Sequence, residues 1–392
     1  AAQGSEDAPR NPEKEVQWLL QALAERPDDT ALREVAASAL QACSADDEAI
    51  DLLWEYVERH TDEEQQLAYY LLNALLARGE YDQVKRLGRL YADSVPLIAL
   101  WSEVKLAEKL NDWPELERAC QSVLEISPGS LGAHSLLGKA LMEQDRFAEA
   151  ALAYQRLAGK LEEPQSVQWD QMTAASAARD WTMLREVAAG MGMEFAAGDG
   201  PIEEDWGWVI VRYIEDGEAL DYYARRTGPV TARVLENAPG NRSQRVGDWV
   251  VFDAGLIYPA PEDEEERKRF VPTYAVVHVL ESGGYSPSWL VDGVYPGDEA
   301  FDAFRETLDA RGWKVWVHSN RDYQVTDASS GEELRAIYFT VATPAQQAPR
   351  DLHQALQEAT GQWPHRMCWL RLAEAAEVDT QPHLDAIERY GL

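Results

Sequence analysis

Apolar residues in the first half of the chain recur at helical spacing and are interrupted at a nearly constant interval. The run Glu15-Val16-Gln17-Trp18-Leu19-Leu20-Gln21-Ala22-Leu23 carries one buried helical face, and Pro27-Asp28-Asp29-Thr30 supplies a stop and an acidic N-cap. Further on, Gly79-Glu80-Tyr81, Asn111-Asp112-Trp113, Asp145-Arg146-Phe147 and Arg179-Asp180-Trp181 each end one amphipathic run and open the next with an aromatic, 32 to 34 residues apart. Val95-Pro96 and Ser127-Pro128-Gly129 close units between them. This period predicts stacked helical hairpins over 31–64, 65–96, 97–130, 131–164 and 165–195. A hairpin stack is built to hold another molecule, which moves the expectation from chemistry towards binding.

Near Gly190 the pattern changes. Gly190, Gly192, Gly198, Gly200 and Pro201 mark a linker. Beyond it come short β-rich runs: Trp206 to Tyr213, Val230 to Leu235, Trp249 to Phe252, Tyr274 to Leu280, Val315 to His318, Ala336 to Val341 and Met367 to Leu372. Helical patterns lie between some of them, at Glu218–Arg226, Glu299–Ala310, Asp351–Thr360 and His383–Tyr390. In order, 273–372 reads β-α-β-β-α-β, the ferredoxin-like split βαβ arrangement, and 206–253 reads as a partial β-α-β-β copy. The expected class is α + β: a flexible N-terminus at 1–12, a helical repeat domain at 13–195, a linker at 196–205 and an α+β domain at 206–392. Within the last, 206–260 is the partial βαββ portion and 270–392 the βαββαβ-like portion. The charged stretch 262–269 reads as a solvated connector or short surface helix, with a contact arm for a partner as the sharper reading.

The unit 131–164 is the most specific. Leu137-Gly138 places a small residue where two helices cross, Leu141 covers the next turn, and Phe147 starts the second helix. Ala150 gives another close crossing and Tyr154 packs one turn beyond it. These residues resemble the tetratricopeptide repeat family, with Pro164 closing the unit slightly late. In 97–130 the family's glycine is Val104 and its alanine Leu116, though Trp113 and Pro128 fit; in 65–96 the match rests on Gly79, Tyr81 and Pro96. The resemblance covers roughly half the chain. It implies that the first helix of each hairpin lines a concave face, where Tyr69, Asn73, Trp101, Lys105, His134 and Lys139 are the candidate partner-binding residues. The lysines suggest the cationic clamps that some family members place on a peptide's terminal carboxylate.

Composition sharpens the expected partner. The 392 residues carry 69 acidic against 36 basic side chains, a net charge of −33. The excess is −18 over 1–200 and −15 over 201–392, so it is general and no acidic tail. Such a field disfavours nucleic acid and anionic lipid, and favours a basic or amphipathic segment of another protein. It also fits a bacterial-style acidic surface. No run approaches the roughly 18 apolar residues of a membrane span. Cys43, Cys120 and Cys368 are too scattered for a disulfide framework or a zinc site, and free thiols lean towards the cytoplasm. The chain opens Ala1-Ala2-Gln3 without methionine, as after trimming or removal of a leader.

Candidate chemistry is sparse. No two of the seven histidines have the i, i+4 spacing with an intervening glutamate of a zinc peptidase helix, and no Gly-x-Ser-x-Gly elbow occurs. His365 and Cys368 fall on opposite faces if their segment is a strand. Ser282-Gly283-Gly284-Tyr285 reads as a turn, without the lysine that a nucleotide needs. Ser319, Ser329 and Ser330 show no acid–base partner. Asp292 with Glu281 could face a cleft, with His278 and His318 on neighbouring strands. The aromatics of the second half, Trp206 and Trp208 on one strand face among them, read as core and as interface anchors. The expectation is a non-enzymatic interaction protein, a scaffold, adaptor or assembly chaperone, with no cofactor, no metal and no catalytic residue. Two alternatives stay open: an acidic immunity or inhibitor protein neutralising a basic toxin or nuclease, and an enzyme with its site in the C-terminal domain.

Overall fold

A computed structural model describes residues 11–63, 66–238 and 242–392. Of the expected flexible N-terminus, positions 1–10 lie outside the described residues, whereas Asn11 caps the first helix by accepting from Lys14 N and Pro12 opens it. The chain forms two compact units that divide between Val167 and Gln168.

The first unit contains α1 (Pro12–Glu25), α2 (Thr30–Ala42), α3 (Asp46–Val57), α4 (Gln66–Arg78), α5 (Tyr81–Tyr91), α6 (Pro96–Leu110), α7 (Trp113–Ile126), α8 (Leu131–Met142) and α9 (Phe147–Ala158). Each helix packs on the next, and the first helices of successive hairpins also meet, α2 on α4 and α4 on α6. Hairpins α2/α3, α4/α5, α6/α7 and α8/α9 match the expected units to within one residue: Thr30 opens α2 one position early, and Pro96, read as closing a unit, opens α6.

The repeated punctuation has one physical cause. Ser44, Gly79, Asn111, Asp145 and Arg179 all sit in the left-handed region, at φ 58°, 73°, 54°, 55° and 58°. In each case the next residue's N–H donates to a carbonyl one turn back: Ala45 to Leu40, Glu80 to Leu75, Asp112 to Ala107, Arg146 to Leu141 and Asp180 to Ala175, at 2.8 to 3.0 Å. This is the Schellman termination, which satisfies an orphan carbonyl while reversing the chain. The second helix then starts two residues after the left-handed one, so the sequence period records where the backbone must turn.

The crossing residues of 131–164 are packed as their sizes suggest. Leu137, Leu141, Phe147, Ala150 and Tyr154 are buried, and a Cβ at Gly138 would lie 2.5 Å from the Tyr154 ring.

The second unit takes in α10 (Gln165–Ala177) from Gln168 onward and α11 (Trp181–Gly190). Its helices cover a closed barrel of β1 (Trp208–Glu215), β2 (Glu218–Arg226), β3 (Thr231–Val234), β4 (Trp249–Leu256) and β5 (Thr273–Glu281). Thr173 Oγ1 donates to Phe252 O at 3.4 Å, and Trp181 stacks on Trp249 with centroids 5.5 Å apart. The barrel is a meander closed by parallel pairing of β1 with β5, Ile210–Thr273 to Arg212–Ala275.

The barrel overturns two expectations. Glu218–Arg226 is the strand β2 and no helix, because Asp216 and Gly217 (φ 51° and 80°) make a tight hairpin turn and Tyr222 and Ala224 point inward while Asp221 and Tyr223 point out. Thr273–Glu281 belongs to this barrel and does not open a βαββαβ unit. Ser282-Gly283-Gly284 forms an irregular link between β5 and the bridge at Tyr285; a Cβ at Gly283 would lie 1.8 Å from Val246 O, so only glycine fits.

After the short, exposed α12 (Glu264–Arg267) of the charged connector come β6 (Trp289–Val294), α13 (Asp298–Asp309), β7 (Lys314–Val317), β8 (Gln324–Asp327), β9 (Glu332–Ala342), α14 (Pro349–Thr360), α15 (Leu370–Ala375) and α16 (Gln381–Tyr390). The sheet runs β6-β9-β7 with both neighbours antiparallel to β9, and β8 also pairs with β9. The expected strand Met367–Leu372 is a single antiparallel bridge, Asp292 to Cys368, followed by α15. It can approach β6 because Gly293 has no side chain; a Cβ there would lie 2.8 Å from Met367 Sδ. Phe301, Phe304, Trp313, Phe339, Leu356 and Trp369 build the core on one side of this sheet.

Candidate functional site

The first helices of the hairpins carry the six residues singled out on sequence, and the structure sorts them into four situations. On α4, Tyr69 is half-buried against the unit's core and Asn73 is exposed, next to Tyr70, whose hydroxyl donates to Glu34. On α6, Trp101 is partly buried and its ring lies 3.1 Å from where a Cβ of Gly132 on α8 would stand. The third situation is a charge cluster. Lys105 Nζ donates to Glu108 at 3.0 Å, and Lys139 Nζ from α8 donates to the other oxygen of the same carboxylate at 3.2 Å. Lys139 also lies 5.7 Å from the Trp113 ring centroid.

Glu108 was not among the sequence candidates, yet it organises the lysines. Its burial pushes the carboxyl pKa up, but hydrogen bonds from Lys105 and Lys139 outweigh burial and hold it below the usual carboxylate range. The clamp reading therefore changes: both ammonium groups already share an internal carboxylate. The signal was present in the sequence, since Lys105 and Lys139 are 34 residues apart, one repeat, with Glu108 one turn beyond the first. His134 behaves differently. It is buried, and its Nε2 donates to Pro128 O at 3.1 Å, bracing the turn before α8.

The histidines and carboxylates of the second unit go to separate partners. Asp292 accepts from the Tyr323 hydroxyl at 3.2 and 3.1 Å, Glu281 pairs with Arg179 at 3.5 Å, and His278 lies on β5 opposite Val251. His318 sits between Glu236, 3.7 Å from Nδ1, and Thr340, 3.0 Å from Nε2. An acid, an imidazole and a hydroxyl in line have the order of a hydrolytic triad. Here, however, Thr340 is 6% exposed on β9, flanked by Leu290 of β6 and Trp316 of β7, so its oxygen is closed to a substrate. Burial lowers the pKa of His318 and raises that of Glu236, against a hydrogen bond from Tyr223 N.

His365 and Cys368 stay apart: His365 Nδ1 meets the Tyr390 hydroxyl at 3.0 Å, while the buried Cys368 thiol faces His383 O at 3.7 Å. Burial raises the pKa of Cys368 and pushes Cys120 to about 12, so neither is a ready thiolate. Ser319 Oγ accepts from Tyr338 N, and Ser329 donates to Asp327. No group of three potential metal ligands occurs among the described residues.

No family model and no curated protein matches the chain. Among solved structures, PilW, a widely conserved type IV pilus biogenesis factor, is 16% identical, with a TM-score of 0.37, over 46% of this chain and 84% of its own. A tetratricopeptide repeat protein from Parabacteroides merdae is 12% identical, with a TM-score of 0.33, over 47% of this chain and 73% of its own. YrrB, a repeat protein described as having an unusual peptide-binding site, is 12% identical, with a TM-score of 0.33, over 44% of this chain and 90% of its own. The N-terminal helical half of the chain is similar to tetratricopeptide repeat proteins.

Proposed function

We propose that this chain is a non-enzymatic interaction protein, a scaffold, adaptor or assembly chaperone, that grips a basic or amphipathic segment of another protein on the first helices of its hairpins. The observation that supports this reading is the side-chain contact of α6 with α8: Trp101 beside Gly132, and Lys105 and Lys139 both hydrogen-bonded to Glu108. The lysines of that surface are already satisfied, leaving a face of Trp101, Tyr69 and Asn73 within a strongly acidic chain. Aromatic rings give an amphipathic segment its anchors, and the surrounding field speeds encounter with a basic one. His134 is left out of the binding set, since it braces its own helix.

The strand-rich unit we read as a second surface or a brace. Residues 289–368 then form a shortened ferredoxin-like arrangement that begins at β6, its last strand reduced to the Cys368 bridge. The free thiols fit a cytoplasmic setting.

A photo-crosslinking amino acid placed at Asn73 or Lys105 tests the reading in cells of the native source. Both positions should capture the same protein, while one at Arg118 on α7 should not. Capture by the Arg118 probe alone would contradict the assignment of the face.

A further inference from the structure

Arginines on this protein commonly end on a carboxylate: Arg78 on Asp47, Arg118 on Glu103, Arg212 on Asp221 and Arg389 on Asp327 all lie within 2.6 to 2.7 Å. One cleft of the second unit departs from this habit. It has a volume of about 450 Å³ and is lined by Arg305, Arg321 and Arg335 together with Tyr295, Asp298 and Asp302. Arg305 comes from α13, Arg321 from the segment after β7, and Arg335 from β9. Arg335 stacks on Tyr295, its Cζ 4.0 Å from the ring centroid, and reaches Asp298 only at 4.0 Å. Asp298 is instead hydrogen-bonded by the Tyr295 hydroxyl at 2.5 Å. The side chains of Arg305 and Arg321 make no hydrogen bond and no ion pair among the described residues.

Carboxylates outnumber cations almost two to one in this chain. Three guanidiniums, two of them unpartnered, against two carboxylates in the lining of this cleft are therefore a local reversal of the field, and an anion entering it would meet an excess of positive charge. We propose that this cleft binds a phosphate monoester.

Guanidinium forks match phosphate oxygens with paired, charge-assisted hydrogen bonds, which an ammonium cannot do. Arg335 is held in place by its stack on Tyr295, so it gives up little side-chain freedom on binding. Its link to Asp298 is loose enough to be exchanged for a ligand oxygen. At roughly 30 Å³ per water in the liquid, the cleft is several times larger than a phosphate group needs. The remaining space is bounded by Tyr295, Ser319, Asn320 and the aspartates, with Phe301, Val317, Ala336 and Ile337 between them, a mixed wall whose polar groups can meet a hydroxyl- or amino-bearing ester.

Calorimetric titration of the full chain at low salt with O-phosphoserine, inorganic phosphate and serine tests the proposal. Phosphoserine should bind, serine should not, and inorganic phosphate should bind more weakly than the ester. The double substitution Arg305→Gln with Arg321→Gln should weaken phosphoserine at least tenfold, with near-UV circular dichroism unchanged. Arg267→Gln, on the exposed connector, should leave it as it was. Binding that survives the double substitution, inorganic phosphate binding as tightly as the ester, or no binding of phosphoserine by the parent at millimolar concentration would each overturn the proposal. None of these outcomes depends on the repeat face.

Discussion

A Cβ at Gly138 would enter the Tyr154 ring, at 2.5 Å from one carbon and 2.7 Å from the next. The preceding repeat solves the same crossing with other sizes: Val104 and Cys120 stand 34 residues before Gly138 and Tyr154, and both are fully buried. A small residue against a large one has been exchanged for two of intermediate size. Gly138→Val should therefore cost about 1–3 kcal/mol by overpacking, and adding Tyr154→Cys should recover part of that loss. Hydrogen exchange across α8 and α9 would read both effects, and a double variant no better protected than the single one would separate this pair of positions.

The residue scale also predicts a pH dependence. His383 is fully buried, accepts from Trp369 N at 3.3 Å, and has its pKa lowered to about 4 by burial first, then by Arg366 and His353. The folded state keeps this ring neutral while the unfolded chain protonates it near pH 6.5. Stability from this group is complete above pH 6.5 and is lost as pH falls towards 4. Asp292, whose carboxyl burial raises, titrates in the opposite sense, so the difference between parent and variant is what matters. His383→Gln should flatten the fall in stability between pH 6.5 and 4 in denaturant titrations; a profile parallel to the parent's would refute the assignment.

At the scale of elements, the hairpins were legible in the sequence because their terminations are local. Asn111, Asp145 and Gly79 are residues that tolerate the left-handed region, and an aromatic two positions later starts each second helix. Arg179 has no such tolerance and is marked only by its spacing and by Trp181 two positions on. Gly79→Ala should cost about 1 kcal/mol, since an L side chain is strained at φ 73°, and thermal melts would show it.

The strand-rich unit was harder to read for equally physical reasons. Glu218–Arg226 carries enough helix-forming residues to pass for a helix, and only Asp216-Gly217 betrays the hairpin. The barrel closes through Ile210 and Thr273, more than sixty positions apart, a pairing that no local pattern encodes. β6 shows no continuous strand pattern because Gly293 interrupts its apolar run, although that glycine is what admits Met367. The candidate face was half legible: Lys105 and Lys139 share a repeat position, but Glu108 between them and the inward turn of His134 depend on how neighbouring hairpins cross.

At the scale of the whole molecule, charge is the property that bears most on function. Both halves are acidic, so the field that would draw a basic partner extends well beyond the repeat face, screened over about 8 Å at physiological salt. On the proposed function, affinity would come from the few rings that can be desolvated, Trp101 foremost, with charge setting the encounter rate. Capture should accordingly weaken, without vanishing, between 0.05 and 0.5 M salt, and retention unaffected by salt would remove the electrostatic component. The most direct measurement is a quantitative affinity capture from the native source comparing the parent chain with the double substitution Trp101→Ala and Asn73→Arg. The account predicts one protein partner held by the parent and lost from the double variant while its helix content stays the same. A partner retained equally by both would contradict it.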